Sequence, residues 1–234
     1  MTVPSVARDV GVVIVAGGSG TRAGGDELKQ FRWVAGKPML LHSVQTFMAH
    51  PRVGMVVCVL PARYAGDPPP WLFQCDVDRL LVSIGGRTRT ESVANGLDDL
   101  PDEAQIVLVH DAARPLVGLE TIGRVIDAVH DGSPALAALP LVDTLKSVNA
   151  DGRVTATVDR TGLWRAQTPQ GFPRALIVDV HRRARAEHVT ATDDAALCER
   201  LGHEVRVVRG SERALKVTEP ADFARIEALF LLDE

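Results

Sequence analysis

The sequence predicts an α/β fold, with a Rossmann-like, mostly parallel sheet, helices on both faces and a protruding β-hairpin arm. Continuous β-branched runs such as Val10–Val15 end at glycines, as strands buried on both faces do. Stretches with apolar residues near helical spacing alternate with these runs, which implies parallel strands joined by helical crossovers. Beyond Leu141 the alternation gives way to two short strands around Asn149, Ala150, Asp151 and Gly152, turn residues at a hairpin tip. At 234 residues a single domain covering 1–234 is expected, with the arm at about 141–163.

Taken in order, Val10–Val15 is the first strand and Lys37–His50 the first helix, with Leu40, Val44, Phe47 and Met48 on its apolar stripe. Val53–Leu60 and Leu80–Ile84 are the next buried strands, the latter stopped by Gly85 and Gly86. Between them AGDPPP, residues 65–70, can be neither helix nor central strand and is expected to be a surface excursion. Thr90–Leu100 is helical, Ile106–His110 a strand, and Leu119–His130 a helix with its stripe on Ile122, Val125, Ile126 and Val129. The arm's strands are Asp143–Val148 and Arg153–Val158; a two-stranded hairpin is marginal alone, so it is expected to pack on a second copy of the chain. Helices follow at Pro173–Glu187 and Asp193–Leu201, a strand at Glu204–Val208, and a last helix from Pro220, which suits a first helical position.

Composition narrows the function. The apolar fraction of 46% and the charged fraction of 24% are ordinary for a cytosolic protein, and no window is long and apolar enough to span a membrane. The start carries no secretory pattern, and Cys58, Cys75 and Cys198 lack metal-site or disulfide spacing, so a cytoplasmic location with reduced cysteines is expected. The net charge of −4 and the lack of a basic stripe argue against nucleic acid as a partner. Any phosphate site must then be assembled from a few placed cations and backbone N–H groups.

In such a sheet ligands bind beyond the carboxyl ends of the strands. Three loops fall there: Ala16–Gly25, Gly85–Arg89 and Asp111–Pro115. The first reads AGGSGTRAGGDELKQ; its glycines let the backbone approach phosphate oxygens, and Arg22 and Lys29 add charge. It is neither GxxxxGK[ST] nor GxGxxG, which removes a nicotinamide dehydrogenase, although a surface loop with two solvated cations accounts for the same residues. Asp111, in HDAARP, sets a carboxylate where magnesium could use it together with substrate phosphates, or caps the following helix.

The motifs AGGSGTR, Lys29-Gln30, GGRTRTESV, HDAARP, DRTGLWRAQTPQGF, TDDA and ALKVTEPAD, in that order and spacing, resemble the 2-C-methyl-D-erythritol 4-phosphate cytidylyltransferases of the non-mevalonate isoprenoid pathway. The resemblance implies that the alcohol phosphate attacks the α-phosphorus of CTP in line and expels pyrophosphate. It implies catalytic roles for Arg22 and Lys29 and a magnesium ligand in Asp111. Nucleotide contacts carry over to Ala16, Gly17, Gly18, Ser19, Gly20, Gly85, Gly86, Ser92 and Ala112, the cytosine being read at Gly85, Gly86 and Ser92. Contacts to the alcohol phosphate carry over to Arg114, Thr144, Arg160, Thr168, Thr192 and Lys216. Because Thr144 and Arg160 fall on the arm, it also implies a homodimer whose arms reach the partner's site.

Here Ala23 follows Arg22 and Leu28 precedes Lys29, where the family usually has methionine and proline, and residues 65–75 have no assignable counterpart. A ribitol 5-phosphate cytidylyltransferase of the same architecture and a non-catalytic CTP-binding module are the alternative functions. The first differs in pocket shape; the second would be expected to lose Arg22, Lys29 or Asp111, and all three are present.

Overall fold

In the computed structural model, which describes residues 7–17 and 28–232, the strands are β1 (Val10–Val15), β2 (Trp33–Val34), β3 (Lys37–Pro38), β4 (Val53–Leu60), β5 (Leu80–Ile84), β6 (Ile106–Asp111), β7 (Ala135–Pro140), β8 (Leu145–Val148), β9 (Val154–Val158), β10 (Trp164–Pro173) and β11 (Arg206–Arg209). The helices are α1 (Met39–Ala49), α2 (Ala62–Ala65), α3 (Arg89–Asp98), α4 (Leu119–His130), α5 (Arg174–Ala186), α6 (Asp194–Arg200) and α7 (Pro220–Leu231).

Seven strands form one sheet in the order β11-β7-β10-β6-β1-β4-β5. β1 pairs in parallel with both β4 and β6, β4 with β5, and β7 with β11, whereas β10 runs antiparallel to β6 and β7. The alternation of side chains in β1 explains why this strand must be apolar on both faces. Val12 and Ile14 pack with α1 and α4 residues such as Val44, Phe47, Ile122 and Val125, while Val13 packs with Val93 and Leu97 of α3 and Ile177 and Val180 of α5. A separate cluster joins Val34 and Met39 to Val217, Phe223 and Ile226 of the C-terminal region. No helix among the described residues is long and apolar enough to cross a membrane.

The expected strands at Val10, Val53 and Leu80 and the helix Leu119–His130 match the observed bounds. The helix expected from Lys37 starts two residues later, because Lys37 and Pro38 pair with Trp33 and Val34 in a tight hairpin. β7 and β10 are absent from the expectation. The arm is present as the β8–β9 pair, a sheet of its own with Val148 and Val154 exposed.

Residues 65–70 bury no side chain, as expected of a surface excursion, but the segment that continues from them does. Their PPP turns into a short 3-10 helix, Pro70–Gln74, which buries Leu72 completely in the core face under α1. Leu72→Ala is therefore expected to destabilise the protein by about 2–5 kcal/mol in urea unfolding, with the denaturant slope unchanged. A loss below about 1 kcal/mol would mean that the segment rides on the surface after all.

Candidate active site

The chain runs outward from β1 through β4 to β5, then returns to place β6 on the other side of β1. The crevice at this reversal lies where the carboxyl ends of β1 and β6 separate, the usual ligand position in such sheets. Ala16 and Ala112 leave the two strands side by side: Ala16 N donates to Val59 O at 2.9 Å and Ala112 N to Val15 O at 3.2 Å. Beside them the backbones of two loops nearly touch. A Cβ on Gly85 would lie 3.5 Å from the Gly17 Cα and 3.2 Å from Leu60 O, and one on Gly17 would lie 3.3 Å from Ser92 Oγ. Ser92 is not the helix cap. Thr88 is, accepting from Glu91 N, while the buried Ser92 hydroxyl accepts from Gly86 N at 3.1 Å and donates to Thr88 O. Gly18, Ser19, Gly20 and Arg22 lie outside the described residues.

Lys29 opens a 3-10 turn, Lys29–Phe31. Leu28 before it has φ −60° and ψ 129°, the backbone a proline would impose, so the leucine keeps the chain's path and also buries its side chain in the core. The Gln30 amide donates to Ala16 O, tying the turn to the end of β1. Phe31 is clamped edge-on by Tyr64 and Trp71, with ring centroids 4.8 and 5.2 Å away, so the segment without a family counterpart braces the lysine turn. Lys29 Nζ donates to Val217 O at 2.6 Å.

Asp111, at the end of β6, is the electrostatic centre. Lys216 Nζ lies 2.7 Å from its Oδ2 and Arg89 Nε 3.3 Å from its Oδ1. Burial pushes the carboxyl pKa up, but Arg89 and Lys216 outweigh it and hold the group well below the usual carboxylate range. Asp111 does not cap α4, whose N-cap is Gly118 without a side-chain bond. No cluster of three or more His, Cys, Asp or Glu side chains that could hold a metal occurs among the described residues. A lone ionised carboxylate suits magnesium, which takes most of its ligands from phosphates and water.

β10 holds this arrangement from beneath. Its pairing with β7 is interrupted between Ala166 and Gln170, and the polar residues there turn to the loops. Asp111 N donates to Thr168 Oγ1 at 3.1 Å. His110 Nε2 faces Arg114 O at 3.2 Å and must donate to that carbonyl, so Nδ1 accepts the Thr168 hydroxyl 3.0 Å away. Gln167 accepts from Ser211 N and donates to Ser211 O; Gln170 Oε1 accepts from Asp194 N and Ala195 N at the start of α6.

Other expected residues are placed as follows. Arg114 donates to Ala214 O at 2.7 Å and Ala166 O at 3.3 Å, so it lies in the same wall as Lys216. Thr192 is exposed just before α6. Thr144 and Arg160 are exposed on the arm, where Arg160 donates to Val142 O.

A family model described as 2-C-methyl-D-erythritol 4-phosphate cytidylyltransferase matches residues 10–232. The chain belongs to this family. The cytidylyltransferase of that name from Streptomyces coelicolor is 46% identical over 230 residues, covering 93% of this chain and 83% of that protein. The one from Syntrophus aciditrophicus is 38% identical over 225 residues, covering 95% and 96%. The crystal structure of the Thermus thermophilus cytidylyltransferase superposes with a TM-score of 0.79 at 33% identity, covering 94% of this chain and 98% of that one.

In this cytidylyltransferase the sequence motifs missed several residues on which the site rests. Arg89 bridges Asp111 and the fully buried Asp194, and His181 donates to Asp194 from the far side at 2.9 Å. Both Arg89 and Asp194 sit inside the motifs GGRTRTESV and TDDA, but flanked by Thr88 and Thr90 and by Asp193 and Ala195 they carry no local signal of burial.

Burial drives the His110 pKa down from 6.5 to about 3. The native state thus stays unprotonated where the unfolded chain takes up a proton, so this contribution is full above pH 6.5 and is lost as pH falls toward about 3. Unfolding free energy is expected to drop on acidification through this window with a slope approaching about 1.4 kcal/mol per pH unit from this residue. Replacing the imidazole in His110→Gln should flatten the profile; equal slopes for both proteins in denaturant titrations would refute the assignment.

Proposed function

We propose a division of labour for the reaction of this family member, transfer of CMP from CTP to 2-C-methyl-D-erythritol 4-phosphate, which yields 4-diphosphocytidyl-2-C-methyl-D-erythritol and pyrophosphate for isoprenoid precursor synthesis. The observation that carries the assignment is the meeting of Lys29 and Asp111 across one strap, Lys216 and Val217. Val217 O receives Lys29 Nζ, Val217 N donates to Ala113 O beside Asp111, and Lys216 between them reaches the Asp111 carboxylate.

In-line displacement at phosphorus asks for positioning and charge neutralisation more than for a covalent nucleophile. Lys29, with Arg22, neutralises the α-phosphate oxygens as the bond to pyrophosphate breaks. Gly17, Gly85, Gly86 and Ser92 form a close-packed wall for the base, in which Ser92 is held by Gly86 N and Thr88 O; Ala16, Gly18, Ser19, Gly20 and Ala112 complete the nucleotide contacts. Asp111 holds magnesium, which when bound supplies a Lewis acid and a template for the triphosphate. Arg114, Lys216 and Thr192 receive the alcohol phosphate, and Thr168, its hydroxyl hydrogen given to His110, contributes to that wall by fixing the backbone of Asp111. Thr144 and Arg160 act from the arm of a second copy, so the working form is a homodimer. Support for this comes from the exposure of the arm and its valines. The cysteines, all free and spaced far apart in the sequence, favour a reducing, cytoplasmic setting.

Lys29→Ala is expected to lower kcat by about two to three orders of magnitude while CTP affinity stays near that of the parent, the scale of losing one preorganised donor. A loss carried wholly by CTP binding, measured by calorimetry beside steady-state pyrophosphate release, would reassign the lysine. Arg160→Ala should raise KM for the alcohol phosphate, and mixing it with Lys29→Ala should regain activity as hybrid dimers combine one intact site. Stable hybrids without rescue would place Arg160 in its own chain's site. The same pyrophosphate assay with ribitol 5-phosphate separates the substrates, turnover confined to that alcohol being the contrary outcome.

A further inference from the structure

We propose that Asp194, supported by His181, is a positioning residue for Asp111 and acts through the Arg89 guanidinium. The inference deepens the reading of Asp111 as the cation-holding carboxylate and rests on it.

Arg89 lies between two carboxylates but divides itself unequally. Its Nη1 makes a 2.7 Å contact with Asp194 Oδ2, and its Nε a longer 3.3 Å contact with Asp111 Oδ1. Asp194 is 0% exposed and cannot meet a substrate. It is nonetheless ionised: burial raises its pKa, while the Arg89 charge and the His181 hydrogen bond hold it below the ordinary carboxylate value. Its backbone is fixed by Gln170 from β10, and its second oxygen by His181 Nε2. A buried carboxylate with these three attachments, and no access to the crevice, reaches Asp111 through one side chain, Arg89.

An arginine fork facing a single carboxylate closes on both of its oxygens. Here Asp194 takes the shorter bond and leaves Arg89 a one-nitrogen contact with Asp111. Asp111 is thereby oriented and kept ionised with a single Arg89 nitrogen on Oδ1, while the exposed, flexible Lys216 meets Oδ2. Without the Asp194 charge, Arg89 would turn fully to Asp111 and compete with any divalent cation there.

The experiment titrates manganese against enzyme and CTP, without the alcohol phosphate, and reads free manganese by electron paramagnetic resonance. Asp194→Asn preserves shape and removes charge; its manganese dissociation constant is expected to rise by about 10–100-fold, the range for groups that support a metal ligand. Adding Arg89→Gln to that variant should return most of the manganese affinity while kcat stays low, since Asp111 then faces Lys216 alone, a contact the parent also has, but is no longer held by Arg89. A role confined to folding would not give this recovery. Unchanged manganese affinity in folded Asp194→Asn, with affinity lost in Asp111→Asn, overturns the relay alone. Equal affinity in Asp111→Asn and the parent overturns the reading of Asp111 and the relay with it. Should Asp194→Asn not fold, Arg89→Lys decides: one ammonium cannot serve both carboxylates and pairs with the buried one. Manganese affinity is then expected within about threefold of the parent with kcat at least about tenfold lower; unchanged kcat overturns the proposal.

Discussion

The site depends on a constraint inside β10, where three buried polar side chains, Gln167, Thr168 and Gln170, cannot face an apolar core without partners. Each finds them in the backbone of a different loop: Ser211 ahead of the strap, Asp111 at the end of β6, and Asp194 and Ala195 at the start of α6. The break in pairing between Ala166 and Gln170 lets these side chains turn away from the β7 ladder. Loops far apart in sequence are thus held in one frame by a single strand, and the cost of leaving any of these groups unpaired, about 1–3 kcal/mol each, keeps them there.

That frame solves an electrostatic problem for a chain with a net charge of −4. Phosphates must be attracted locally, and the charges that do so must not collapse onto the protein. Lys29 is held by a carbonyl and Arg114 by two carbonyls, while Lys216 and Arg89 share Asp111. The carbonyl acceptors fix where Lys29 and Arg114 present their charge, and the Asp111 carboxylate lies within electrostatic reach of Arg114. Lys216 differs: its partner is the carboxylate that the proposed cation would also use. Binding of a metal and a phosphate at this point therefore trades one ion pair for two, and both can form because the strap beside Lys216 is anchored through Val217 rather than through the lysine.

The parallel half of the sheet was legible because its strands are continuous apolar runs ended by glycine or by HDAARP, and the glycine and aspartate loops fall where such strands end. β10 was not, since WRAQTPQGFP carries two prolines and several polar residues that read as a loop; its polar side chains are buried by loops, which no local pattern records. β7, ALAALP, hid for the opposite reason, its small residues lacking the β-branched signature. Among site residues, Asp111, Lys29 and Ser92 were readable as side chains near an expected crevice. Arg89 and Asp194, paired across 105 positions, were not, because their contribution is to each other.

The arm completes the same logic at the level of the assembly. Among the described residues β8 and β9 pair only with each other, and Val148, Val154 and Val158 are exposed rather than covered by the parent sheet. A solitary two-stranded ribbon of this kind gains little stability from its own hydrogen bonds, and its apolar side chains gain none until something covers them. Placing Thr144 and Arg160 on such a ribbon makes their position conditional on its packing. If the covering surface is a second chain, then the phosphate contacts of each site form only when the dimer forms, and the marginal stability of the isolated hairpin becomes the coupling between assembly and substrate binding.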